Sequence, residues 1–402
     1  MKIAVISTKG KMEGGAFQYS LSLSRLLKEN NSEKYNFIFF TTVKENVRLF
    51  AKYGPTFNYL RWSNIDRFKN LLFSSQILSG VLAKFRISPE SRIDRILKKH
   101  NIDLVYFLNP SDLALAVSRL NYIFTIWDLC FLDFMEFPEV YANREFERRN
   151  SLYRFALPKA VKVIADSEFT KRNIIKKYCL DEARVVSLPL LSSVGINVVE
   201  QENHAGYINI RKKYNINGKY IFYPAQFWPH KNHIYILEGL KLLKEKYEMI
   251  IHVIFAGSDK GNLSFILRKA EEFGIADQIH YVGFVGDNEL PYLYTQALAL
   301  VMPTYFGPTN LPPLEAFKLG CPVLYSDLPG LNEQVKDAAL LLDLNNPESL
   351  CKGLLKVLND TASIDTLIKN GKKKIEALEN ENYWRILKDA FDDYSQKMKC
   401  WK

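Results

Sequence analysis

Residues 297–327 read ALALVMPTYFGPTNLPPLEAFKLGCPVLYSD. ALALVMP is a short apolar run of the kind that forms a buried strand, and CPVLYSD has the same character. Between them, LPPLEAFKLG has helical spacing. Pro312 and Pro313 stand in its first turn, where a missing N–H costs nothing, and Gly320 can take the left-handed conformation that ends a helix. Strand, loop, helix, strand is the repeating unit of a mostly parallel sheet covered on both faces. Residues 305–326 also gather four prolines and two glycines around a single acid, Glu315. So many restricted backbone angles suit a loop that must hold one carboxylate still, because a preorganised loop loses little entropy when a ligand arrives.

The same alternation extends in both directions. YIFYPA, IHVIFAG, QIHYVGF, ALALVMP, PVLYSD and ALLLD read as six strands, separated by helical segments such as HIYILEGLKLLKEKY and FILRKAEEFG. Upstream, KIAVIST, YNFIFFTT, DLVYFLN, NYIFTIWD, KVIADS and RVVSLPL read as six more, with SRIDRILKKH and FTKRNIIKKY among the helices. Residues 192–218 are polar and lose the pattern, as a linker does. The expected fold is α/β: two Rossmann-like doubly wound domains in tandem, facing each other across a cleft. Ligands of such sheets sit at the carboxyl ends of the strands.

Composition narrows the function classes. Hydrophobic content of 48% and charged content of 24% are ordinary for a globular chain. The five cysteines are scattered with no CxxC pair, so neither a disulfide framework nor a zinc site is expected. MKIAVISTKG does not read as a signal peptide, and no apolar run of about 18 residues suggests a membrane span. A cytoplasmic location is expected. The net charge of +10 is carried by one half: residues 1–200 hold 30 Lys and Arg against 20 Asp and Glu, and residues 201–402 hold 24 against 24. A basic half suits an anionic partner such as phosphates or an acidic membrane surface, and also suits plain solubility. Residues 68–87, FKNLLFSSQILSGVLAKFRI, mix cations with apolar residues as membrane-surface helices do, although packing on the sheet is the better expectation. Nucleic-acid binding is not expected, since the basic residues form no stripe.

Candidate site residues stand at strand ends. Gly14 and Gly15 follow the first strand and open a helix, where backbone can approach a ligand and the N-terminus favours anions; a plain turn accounts for them equally well. In YPAQFWPHKNH, Lys231 and Asn232 stand where the next helix begins, a place for a phosphate-binding cation. His230 and His233 lack a nearby third ligand for a metal. Gly257 in FAGSDKGN and the backbone of residues 283–285, including Phe284, could meet a nucleotide base or simply turn. Glu315 can accept two hydroxyl hydrogen bonds, as a ribose diol offers, and its position in the first turns of its helix is expected to face the cleft edge. Thr309, Asn310 and the N–H groups at the helix start could bind sugar hydroxyls or phosphate.

These segments resemble the retaining GT-B glycosyltransferases of family 4. The likeness runs through YPAQFWPHKN, FAGSDKGN, residues 280–335 and AALLLDLNNPESL in the family's order, with a sub-group pattern FGPTN-x-PPLE. It implies an N-terminal acceptor domain over 1–195, with a helix at about 383–402 packing back on it, and a C-terminal donor domain over 196–382. It implies a donor site of Gly14, Gly15, Gln226, Lys231, Asn232, Gly257, Phe284, Thr309, Asn310, Leu311 and Glu315, with Asp128, Lys231 and Glu315 as the catalytic set. Glu315 matches the second glutamate of the family's E-x7-E element, and Lys231 matches its diphosphate-contacting lysine. Gly307 stands where the first glutamate belongs, Ala225 and Gln226 occupy the place of the usual arginine, and the family's HD pair reads Trp127-Asp128.

The implied reaction is transfer of a sugar from a nucleotide-diphosphate sugar to a saccharide or polyprenyl-diphosphate-linked acceptor with retention. Bacterial surface polysaccharide of O-antigen or capsule type is the expected setting, and mannosyl transfer is one activity the family admits. The leaving phosphate can itself take the acceptor proton. No DxD motif appears, so no metal and no cofactor are called for, and the nucleotide sugar is a substrate. Asp128 could orient the acceptor or the sugar, or simply cap a strand end. Peripheral contact with the inner face of the cytoplasmic membrane fits a lipid-linked acceptor. A non-catalytic nucleotide-sugar-binding partner subunit is the alternative that Gly307 raises. A sugar-nucleotide epimerase would show more acid/base groups at strand ends.

Overall fold

The computed structural model describes residues 1–64, 66–67, 84, 90–191, 193, 207–307, 309–379 and 382–401. The membrane-surface expectation for residues 68–87 lies outside them except at residue 84, as does most of the expected linker. Within the described part of that linker a short helix, Ile210–Lys213, forms behind Asn209, whose side chain accepts the Lys212 N–H. Among the described residues no helix is long and apolar enough to cross a membrane.

The chain divides into two compact units. The first takes in Met1–Asp133, Asn143–Pro189 and the C-terminal helix Asn382–Met398. The second takes in the described residues of Leu190–Asn380 together with Phe134–Ala142. That last segment departs from the boundary expected from sequence, because its aromatic side chains are matched by partners in the second unit.

The first unit is built on seven strands: β1 Lys2–Ser7, β2 Asn36–Thr41, β3 Phe57–Tyr59, β4 Leu104–Phe107, β5 Asn121–Ile126, β6 Lys162–Ala165 and β7 Val185–Ser187. They pair in parallel in the order β3-β2-β1-β4-β5-β6-β7. Ile3 to Ile6 are fully buried, as a parallel strand covered on both faces requires. The six strands read from the sequence are present. β3 adds a seventh at the edge, and only Phe57 of it is buried, so its pattern is too short to read.

The C-terminal helix closes this unit with aromatic packing. Phe391 is 0% exposed, and its ring centroid lies 5.8 Å from Tyr35, 5.7 Å from Phe37 and 6.1 Å from Tyr106. The Tyr35 hydroxyl donates to Asp392, and Lys34 Nζ lies 2.5 Å from the same carboxylate.

The second unit has six parallel strands: β8 Tyr220–Pro224, β9 His252–Ala256, β10 Ile279–Tyr281, β11 Leu300–Met302, β12 Val323–Ser326 and β13 Leu340–Leu342. Their order is β10-β9-β8-β11-β12-β13, and all six were legible in the sequence. In each sheet one early strand, β1 or β8, has its successor on one side and a later strand on the other. Connections leave in opposite directions from there, and the loops part at the carboxyl edge.

Truncating Phe391 to Ala is expected to cost about 3–5 kcal/mol, as loss of a fully buried ring does. Urea denaturation read by tryptophan fluorescence would show it as a lowered midpoint with an unchanged slope.

Candidate functional site

In the second unit the loops after β8 and β11 meet at this opening. β8 runs into the turn Pro229–Lys231 and then the helix His233–Tyr247. Asn232 between them has φ 55°, a left-handed angle that asparagine tolerates. The Tyr223 hydroxyl donates to the Lys231 carbonyl at 2.7 Å, which fixes that backbone from the strand. Lys231 Nζ donates to Asn310 Oδ1 at 3.1 Å. Asn310 is held in turn: its Nδ2 donates to Gly307 O at 2.8 Å and to the Tyr325 hydroxyl at 2.6 Å. Gln334 accepts the Asn310 N–H at 3.0 Å and donates to its carbonyl at 2.6 Å. Lys231 and Asn310, two of the residues singled out in the sequence, are therefore brought together.

Glu315 lies in the helix Leu311–Leu319 and is 5% exposed. The Ser193 hydroxyl donates to its Oε1 at 2.5 Å and the Tyr294 hydroxyl to its Oε2 at 2.6 Å. Burial raises its pKa, and these two hydrogen bonds only partly offset that. This corrects the placement at an open edge: the carboxyl points inward, and both oxygens already serve hydroxyls. The expected pairing with two hydroxyls is realised by the chain's own side chains.

The helix start also differs from expectation. Pro312 and Pro313 have no N–H, and the Asn310 N–H is taken by Gln334, so fewer backbone donors remain for an anion than a helix N-terminus normally offers. Leu311 is buried and Thr309 half-buried. Gly307 has φ +97°, while a β-carbon there would come no closer than 3.6 Å to Asn310. The angle, and not space, excludes a side chain at the position where the family element has its first glutamate.

Gly257 is required by packing. With φ +144°, its β-carbon would fall 2.4 Å from the Ala225 carbonyl oxygen. Its N–H donates to Gly283 O at 2.8 Å, so the loops after β8, β9 and β10 are drawn together through it. Gln226 Oε1 accepts the Trp228 indole N–H at 3.1 Å, and Phe284 is 51% exposed. His233, fully buried, stacks on Phe227 with centroids 4.2 Å apart and planes 12° apart. Burial pulls its pKa down to about 3, and the nearby Lys231 and His230 charges add to the effect.

The first unit places its glycines and Asp128 separately. Gly14, at φ 57°, precedes the helix Gly15–Glu29, which begins at Gly15. At the parting of β1 and β4, Asn109 Nδ2 donates to Thr8 Oγ1 at 2.5 Å, and the Thr8 N–H donates back at 2.9 Å. Asp128 Oδ1 accepts from the Arg149 guanidinium at 2.8 Å and from the Cys130 N–H at 3.0 Å. Arg149 lies over the Phe131 ring at 4.5 Å. Sequence reading missed Arg149, Ser193, Tyr294 and also Glu139, whose Oε1 accepts the His230 N–H at 3.0 Å. Each lies far along the chain from the group it serves, and no local pattern marks it.

Comparisons with known proteins agree with this architecture. Residues 207–374 match the family model described as Glycosyl transferases group 1, and residues 47–190 match Glycosyltransferase Family 4. The chain is 34% identical over 142 residues to O-antigen chain mannosyltransferase B of Escherichia coli, which is 35% of this chain and 37% of that protein. It is 27% identical over 199 residues to O-antigen chain mannosyltransferase RfbU of Salmonella typhimurium, 50% of each. The chain spans half or less of the length of these relatives. Among solved structures, Anabaena HepE in complex with UDP-glucose has TM-score 0.72 at 14% identity, covering 98% of this chain and 100% of that one. Sucrose-phosphate synthase from Thermosynechococcus elongatus has TM-score 0.71 at 18% identity, covering 100% of both. At such identities the likeness shows the fold, which is GT-B.

Two outcomes test this geometry. Gly307→Glu, which restores the family's residue, is expected to destabilise by about 1–2 kcal/mol because a side chain must adopt the left-handed angle; a thermal melt reads it. For His233, the unfolded chain takes up a proton below about pH 6.5 that the folded chain refuses until about pH 3. Stability is therefore lost as pH falls through that window. The stability difference between His233→Phe and wild type should shift in favour of the variant from pH 7 to pH 5, measured by urea midpoints. Over these two stretches, residues 207–374 and 47–190, the chain is similar to the group 1 and family 4 glycosyltransferases.

Proposed function

We propose that the protein is a retaining glycosyltransferase that takes its sugar from a nucleotide-diphosphate donor and works in bacterial surface-polysaccharide assembly. The observation that carries this reading is the joint of Lys231 and Asn310 at the carboxyl edge of β8 and β11. It puts a cation beside the start of the helix His233–Tyr247, where a diphosphate gains from both. The names of the O-antigen relatives support mannose as the donor sugar and a growing saccharide, free or polyprenyl-diphosphate-linked, as acceptor.

In this mechanism Lys231 stabilises the charge that develops on the departing diphosphate, a contribution that grows toward the transition state. Glu315 accepts the donor ribose hydroxyls in place of the Ser193 and Tyr294 hydroxyls it now holds. Asn310 reads the sugar where the missing glutamate would have done so, with a neutral amide for a carboxylate. The acceptor hydroxyl attacks the anomeric carbon on the face the diphosphate leaves, and its proton passes to the leaving phosphate oxygen. Asp128, gripped by Arg149, orients the acceptor in the first unit. No metal takes part. In the cell, the basic first half would draw the protein to the anionic inner face of the cytoplasmic membrane, where a lipid-linked acceptor lies.

A second reading is favoured by Gly307 alone: a nucleotide-sugar-binding subunit without turnover. A thermal-shift screen against UDP, GDP, dTDP and ADP and their sugars, followed by turnover assays, separates the two. One nucleotide is expected to raise the melting temperature of wild type, and Lys231→Ala and Glu315→Gln should each weaken its binding about tenfold or more. Slow release of free sugar from the matching donor establishes turnover. Binding without any such release supports the subunit, and no binding at all refutes both.

A further inference from the structure

Phe134–Ala142 belongs by packing to the second unit, although it lies among residues of the first. Phe134 and Phe137 rest on Phe306 with ring centroids 5.3 and 5.4 Å away, and Phe137 rests on Tyr305 at 5.4 Å. Rings alone would dock the segment. It also brings in a carboxylate, Glu139, whose side chain is only 9% exposed. Taking a carboxylate out of water costs several kcal/mol unless its partners compensate.

The partner is His230. Glu139 Oε1 accepts the His230 backbone N–H at 3.0 Å and lies 2.5 Å from its Nδ1. Glu139 Oε2 is buried with no hydrogen-bond partner. Burial raises the Glu139 pKa, and the His230 hydrogen bonds outweigh it, so the group stays ionised and Nδ1 is the donor. The imidazole lies flat on Phe306, 3.9 Å between centroids and 12° between planes. The His230 carbonyl accepts from the Tyr305 N–H at 2.9 Å and from Thr304 Oγ1 at 3.3 Å. His230 is thus held by its N–H, its ring and its carbonyl, one residue before Lys231. Nothing in the sheet's packing calls for a buried charge here. Its effect is to fix the turn that carries Lys231 to Asn310.

We propose that Glu139 is a positioning residue for donor binding: by gripping His230 it holds the Pro229–Lys231 turn so that Lys231 meets the diphosphate. The inference rests on the reading of Lys231 as the diphosphate contact. The test is calorimetric titration of the full chain with UDP and GDP, each against its monophosphate. Wild type, Glu139→Gln, Glu139→Ala, Lys231→Ala and the Glu139→Ala/Lys231→Ala double variant are compared. Glu139→Ala is expected to weaken diphosphate binding about tenfold and monophosphate binding by no more than about twofold. In the Lys231→Ala background it should cause no further loss, because it acts through that lysine. Glu139→Gln keeps the shape and removes the charge, so it carries the test if the alanine variant does not fold. It should weaken diphosphate binding about threefold. Unchanged diphosphate affinity in both Glu139 variants, equal weakening of mono- and diphosphate, or an additive double variant would each overturn the proposal and leave Glu139 a structural anchor. Unchanged affinity in Lys231→Ala would instead overturn the reading of the lysine itself.

Discussion

β8 is hydrogen-bonded to β9 on one side and β11 on the other, and the second unit's candidate site follows from that arrangement. Parallel strands cannot be joined by tight turns, so each connection crosses the sheet as a helix that begins at the carboxyl edge. Where the order reverses, two such helices leave on opposite faces and their first loops part. The turn carrying Lys231 and the loop carrying Asn310 are those two loops, and the lysine–amide contact closes the gap between them. The first unit meets the same constraint between β1 and β4, and closes it with the paired hydrogen bonds of Thr8 and Asn109.

Around that opening the second unit buries polar groups that a plain core would exclude. Glu315 is tolerated because two hydroxyls serve its oxygens. Glu139 is tolerated because His230 gives it two hydrogens. His233 is accommodated without charge, stacked on Phe227 with Tyr223 tilted against it. The two carboxylates keep a local geometry that an apolar residue could not specify, since hydrogen bonds are directional and dispersion is not. Gly307 shows the complementary device: the loop takes a backbone angle that only glycine adopts at little cost, and its carbonyl accepts from the Asn310 amide three residues on.

The two sheets were legible to different depths. β1, with its apolar run Ile3–Ile6, and β8 could be read directly, as could the helix bounded by Pro312 and Gly320. β3 could not, because three residues with one buried side chain carry no period. At the site, Lys231, Asn310 and Glu315 were legible as residue types at strand ends. Their settings were not. Glu315 read as open and is enclosed; Gly257 read as a base contact or a plain turn, and the approach of the Ala225 carbonyl that requires a glycine there was not legible.

The sequence by itself determined the alternation of strand and helix, the stops and starts of individual helices, and the residue types available at the carboxyl edges. These are local matters, set by hydrophobic period and by the backbone angles of proline and glycine. Tertiary structure alone decided which of those residues face each other. Ser193 reaches Glu315, Arg149 reaches Asp128, and Glu139 crosses 91 positions of sequence to grip His230. Pairings at such separation leave no periodic trace. They depend on which strands lie side by side, and strand order is fixed only when the whole sheet is assembled.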